Sequence, residues 1–269
     1  LPPASSFNLG IAAVALLLSA AAFAAALALT GRPRTGVYAA AFTVLAGNLA
    51  GPAEALARRA INFDYFWATS RVFTPAINEY PFWSLLFADL HAHLLAAPLL
   101  VTLVALLLRL NDSEARDNAP IATLSLGATT AVLAGSITTT NGWSLPTVAA
   151  LTVGGAALGW WQRPRRTLGG ALIRLVALPA VLLGGAWLVF LPFWINFTAP
   201  PRSWGLERGP YAPLLGYLTV LGVFVAIVLP ALARRPVATG EVVQWQRWRA
   251  THRLMLVLGG LAVAAELLL

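Results

Sequence analysis

The sequence predicts an all-α, polytopic transmembrane bundle with about eight spans. Three observations carry that expectation. Hydrophobic residues make up 59% of the 269 and charged residues only 10%, whereas a soluble domain carries roughly 25% charged residues. A chain so poor in charge cannot cover a water-facing surface, but it can face lipid. The apolar residues also gather into runs, several close to the 20 or so residues that cross a bilayer as a helix. Finally, no run alternates apolar and polar residues as a barrel strand does. Lipid leaves a spanning backbone only the helix or the closed barrel.

The runs fall at 9–29, 37–51, 90–108, 121–137, 145–161, 171–194, 211–233 and 254–269. All are assigned to one transmembrane domain covering 1–269. Small residues are dense inside them, as in Gly154-Gly155-Ala156-Ala157 and Gly184-Gly185-Ala186, and let helix backbones approach closely in lipid. The run at 37–51 is the least regular, because Asn48 and Pro52 interrupt it. The stretch 53–89 lacks a spanning run and is expected to lie along the outer interface. The chain begins at Leu1 without a signal-peptide pattern and ends at Leu269 inside an apolar run. It therefore reads as a segment of a longer protein.

Charge sets orientation and excludes one class of partner. The net charge is +8, but the arginines sit in short connectors and form no continuous patch, so no nucleic-acid partner is expected. With the spans alternating, thirteen arginines fall on one side (within 32–34, 109–116, 163–174 and 234–253). Five fall on the other: Arg58, Arg59, Arg71, Arg202 and Arg208. The positive-inside rule makes the first side cytoplasmic and starts residue 1 outside. The expected location is the cell membrane, multi-pass, with the bilayer as the first partner. The chain has no cysteine, so neither a disulfide framework nor a thiolate zinc site is available.

The connectors on the expected outer side hold nearly all the unusual polar residues, and the densest is 62–98. Aromatic residues crowd it, as they do at the headgroup level. Pro81 suits the first turn of a helix. On a helix from Phe82, Asp89 and His93 would share a face and His91 would point away. On an extended stretch, period two would put Asp89, His91 and His93 on one side. Either geometry offers carboxylate and imidazole to a divalent cation such as zinc or manganese, or leaves an Asp–His hydrogen bond. Glu79, just before Tyr80-Pro81, can cap a helix N-terminus, ligate a cation or take a proton from a hydroxyl. Asp64 and Arg71 could form a surface pair. Two further connectors are candidates for substrate contact. One is 138–143, with Asn141 and Trp143. The other is 193–211, where Arg202 and Arg208 offer planar forks of donors to a phosphate or anchor the chain to lipid headgroups.

The run FDYFWATSRV…INEYPFWSLLFADLHAHLLAAP, then TTTNGWSLPT, then LPFWINFTAPPRSWGL, resembles the YYY-type family of large polytopic membrane proteins, named for a tyrosine triplet. The resemblance covers most of 47–205 in order and spacing. His91-Ala92-His93 stands where His-Pro-His is typical, Ser144 stands where an aspartate is common, and the part bearing the triplet lies outside this chain. The family looks distantly similar to the GT-C glycosyltransferases, polytopic enzymes that use polyprenyl-phosphate sugars at an outward-facing site. The resemblance implies a sugar transferase with a lipid-phosphate donor. In that reading Glu79 and Asp89 are catalytic, Asp89, His91 and His93 hold a cation, and Arg202, Arg208, Asn141 and Trp143 meet the substrate. The alternatives are a non-catalytic subunit that partners other membrane proteins and, third, a transporter. Transporters place polar residues near the bilayer midplane at broken helices, whereas here they gather at one face.

Overall fold

Pro3 opens the first and longest helix, α1 (Pro3–Thr30), from the N1 position, where its missing N–H costs nothing. The computed structural model describes residues 2–73, 77–110, 120–161, 167–198 and 214–233. Every regular element among them is helical, and none is a strand. They form two compact units, residues 2–94 with the helix at 214–233, and residues 95–198.

In the first unit α1 ends at Gly31, whose φ of 65° lets its N–H reach the Leu27 carbonyl at 2.7 Å. Glycine takes that left-handed conformation without steric cost. Pro33 then starts α2 (Pro33–Leu45), which folds back on α1. Their approach depends on Gly36, since a Cβ there would lie 2.7 Å from the Phe23 ring.

The run at 37–51 is not a single helix. The 13 residues of α2 span about 20 Å at 1.5 Å per residue, short of a hydrocarbon core of about 30 Å. The chain breaks at Asn48. Its Oδ1 accepts from the Ala50 N–H at 3.1 Å and its Nδ2 donates to the Thr69 carbonyl at 2.6 Å. That side chain offers the backbone a turn in place of the helix ladder. Three short helices follow, α3 (Ala50–Arg58), α4 (Phe63–Thr69) and α5 (Pro81–Leu86). Helix α6 (Ala92–Leu110) leads into the second unit.

In that unit α6 is followed by α7 (Pro120–Thr140), a 3-10 turn at Gly142–Ser144, and α8 (Leu145–Trp161). Then come α9 (Leu168–Leu172), a π turn at Ile173–Ala177, α10 (Leu178–Val189) and the short α11 (Leu191–Trp194). The core is built by α6, α7, α8 and α10. Ala96, Leu103, Ile137 and Val148 are fully enclosed, with Leu182 and Ala186 beside them. Buried Thr130 and Thr152 satisfy their hydroxyls on the carbonyl four residues back, at 2.7 and 2.8 Å. Helices α7 and α10 touch at Gly135, where a Cβ would lie 2.9 Å from the Ala186 carbonyl oxygen.

Among the described residues, four helical stretches are long and apolar enough to cross a membrane, Pro3–Thr30, Ala92–Leu110, Ile121–Thr140 and Leu168–Val189. Large apolar side chains project away from the protein along them, with Leu16 70% and Val181 69% exposed. This is the arrangement lipid permits and water does not. The last described helix, α12 (Leu214–Ala233), packs on the first unit. The Leu49 N–H donates to its Thr219 carbonyl at 2.8 Å, and Phe73 sits over Gly216. The expected span at 254–269 lies outside the described residues.

Candidate functional site

The site grows from the ends of two short helices. Asn62 caps α4, its Oδ1 accepting from the Tyr65 N–H at 3.1 Å, which satisfies one of the free donors of the first turn. The chain leaves α4 at Ser70 and returns to it at Asn78, whose N–H meets the Ser70 carbonyl at 2.8 Å. This return brings Glu79 beside Arg71. Pro81 then occupies the first turn of α5, as the sequence suggests.

Helix α5 stops at Leu86, so Asp89 does not ride on it as one of the two expected geometries required. The stop is a Schellman arrangement without glycine. The Ala88 N–H reaches the Leu85 carbonyl at 3.3 Å and the Asp89 N–H reaches the Ser84 carbonyl at 2.8 Å, with Ala88 at φ 54°. An alanine in the left-handed region stores of order 1 kcal/mol of strain. Asp89 is thereby turned off the helix axis. On the short non-helical stretch that follows, Asp89 and His91 are two apart and face each other, with Oδ2 and Nδ1 2.5 Å apart.

Glu79, Asp89 and His91 each present a ligand atom within 4.8 Å of the others. Glu79, which the sequence also offers as a cation ligand, joins Asp89 and His91, and His93 stays beside them at the start of α6, near enough for the charges of His91, Glu79 and Asp89 to act on it. Its ring stacks on that of His91, with centroids 5.3 Å apart and planes at 22°.

Arg71 fixes the buried side of the group. Its Nη2 meets Glu79 Oε1 at 3.3 Å, and Nη1 donates to the Ser70 hydroxyl. The guanidinium lies 3.7 Å over the Trp67 ring and 5.4 Å from that of Trp83. Cation–π contact and a buried carboxylate hold it from two directions. Arg71 therefore pairs with Glu79, not with Asp64, which lies in the first turn of α4. Glu79 makes no helix cap, because α5 has no side-chain cap bond. The Glu79 side chain is only 8% exposed, against 30% for Asp89 and 58% for His91. The group thus has a closed acidic end and an open imidazole end.

A second polar chain braces the first. Asn48 holds the Thr69 carbonyl, and the Thr69 hydroxyl lies 2.9 Å from the Tyr80 hydroxyl. Burial pushes the Tyr80 phenol above its ordinary value, and the Thr69 hydrogen bond pulls part of the way back. Aromatic rings fill the space between α4 and α5. Phe87 meets Phe63 and Phe66 edge-on at 5.6 Å, and Trp83 lies 5.0 Å from it.

Asn141 and Trp143 belong to the second unit. Asn141 closes the 3-10 turn, its Nδ2 donating to the Ser144 hydroxyl at 3.0 Å, while Trp143 is 60% exposed. Arg202 and Arg208 fall outside the described residues. Arg71 and Tyr80 were not singled out as site groups by the sequence. The one signal for Arg71 was its place in an aromatic-rich connector, where a cation has rings to stack on.

The model of the family described as uncharacterized membrane protein, DUF2298, matches residues 1–269. The chain belongs to that family. No curated protein and no solved structure matches it. DUF2298 membership and the apolar helices make it a membrane protein, and among its described residues Glu79, Asp89 and His91 form a group whose side-chain atoms could hold a metal ion.

Proposed function

We infer that the Glu79–Asp89–His91 group is the reaction centre of a sugar transferase that takes its donor from a lipid phosphate at the outer face of the cell membrane. The observation that carries the reading is the convergence of two carboxylates and an imidazole within 4.8 Å. The resemblance to the GT-C glycosyltransferases supports it. The donor set suits a divalent cation of the zinc or manganese kind. Ligands about 2.0–2.2 Å from one ion lie no more than about 4.4 Å apart, so small side-chain adjustments would bring the three together. When bound, such an ion stabilises negative charge on a departing phosphate.

The protein's own groups do the rest. Arg71 anchors Glu79, so the acidic end is fixed before any ligand arrives. His93 backs the His91 ring by stacking. With an ion bound, Asp89 Oδ2 would turn from the His91 ring to the ion, which leaves the other oxygen to take the proton of an acceptor hydroxyl. The hydroxyl oxygen then forms the bond to the anomeric carbon. The anomeric carbon–oxygen bond breaks, and its electron pair leaves on the phosphate. Arg202 and Arg208 are proposed to meet that phosphate, and Asn141 and Trp143 the sugar or the acceptor.

The test uses the full-length protein in detergent. Thermal stability is measured with Mn2+, Mg2+ and Zn2+ and without metal, alongside sugar release from a polyprenyl-phosphate sugar. A rise of Tm with one metal that is lost in Glu79→Gln, together with metal-dependent sugar transfer, is the expected result. No metal effect and no transfer would overturn the reading and leave a non-catalytic membrane subunit in its place.

A further inference from the structure

We draw no further inference here: the strongest candidate, the open apolar groove along α2 in the first unit, lined by Tyr38, Phe42, Leu45 and Tyr65, carries none, because nothing in the structure shows what covers it.

Discussion

His91 and Asp89 face each other because Ala88, between α5 and α6, takes a left-handed conformation. The side chains are two apart in sequence and 2.5 Å apart at Nδ1 and Oδ2. A pair formed this way has two possible lives, as a self-contained hydrogen bond or as half of a ligand set. Replacing both residues with leucine separates them. If the pair served only itself, the double variant would be as stable as wild type and fully active. The expected outcome is a folded double variant that has lost both the metal-dependent rise in Tm and the activity. The measurement is thermal unfolding in detergent, with metal and without, beside the transfer assay. A fully active double variant would return the pair to a structural role.

Arg71 tests the closed end of the site. Arg71→Met keeps much of the packing on Trp67 and Trp83 but leaves the Glu79 carboxylate, 8% exposed, without its cation. A stranded buried charge of this kind costs about 3–5 kcal/mol. Adding Glu79→Gln to Arg71→Met should recover more than half of the loss. Chemical denaturation of the two single variants and the double variant reads this directly, and additive losses would show that the pair is not coupled.

Gly135 and Gly127 sit two turns apart on α7 in opposite circumstances. A Cβ at 135 would meet the Ala186 carbonyl, which cannot move aside as a side chain can, whereas nothing lies within 4 Å of one at 127. Gly135→Ala should therefore destabilise by about 1–3 kcal/mol. Gly127→Ala should gain up to about 1 kcal/mol from helix propensity. Paired melting curves suffice, and equal shifts of the same sign would contradict the packing described for α7 and α10.

Tyr80 should show itself in the alkaline limb of stability. Tyr80→Phe loses the Thr69 hydrogen bond at a cost of about 1 kcal/mol. Burial raises the phenol above its ordinary 10.0. The folded state therefore favours the neutral form, and that contribution is complete below pH 10 and lost as pH rises through the folded value. The gap between wild type and Tyr80→Phe should be constant at neutral pH and shrink above pH 10. A gap that widens there would reverse the sign of the argument.

Topology is open to a cysteine scan, because the chain has no cysteine of its own. With the arginine-rich connectors inside, Ile77→Cys, 64% exposed in the wild type, should react with an impermeant maleimide on intact cells. Thr167→Cys should react only after permeabilisation. The reverse pattern would invert the chain and place the acidic group on the cytoplasmic side.

The sequence by itself determined the all-α membrane class, because that rests on local quantities: run length, charge content and the absence of alternation. It also carried the first-turn place of Pro81 and, as one of two geometries left open, the facing of Asp89 and His91. Four things were decided only by tertiary structure. Asn48 splits the run at 37–51 because its amide finds the Thr69 carbonyl, a partner 21 residues away. Glu79 joins the ligand group because the chain doubles back from Ser70 to Asn78. His93 stacks on His91 from the first turn of α6, because that helix begins one residue before it. Ala88 ends α5 in a conformation that sequence assigns to glycine, and a left-handed alanine persists only where surrounding contacts over-determine the turn. Each of these depends on a partner distant in sequence or on a backbone turn that residue type does not encode, so periodicity and composition could not supply them.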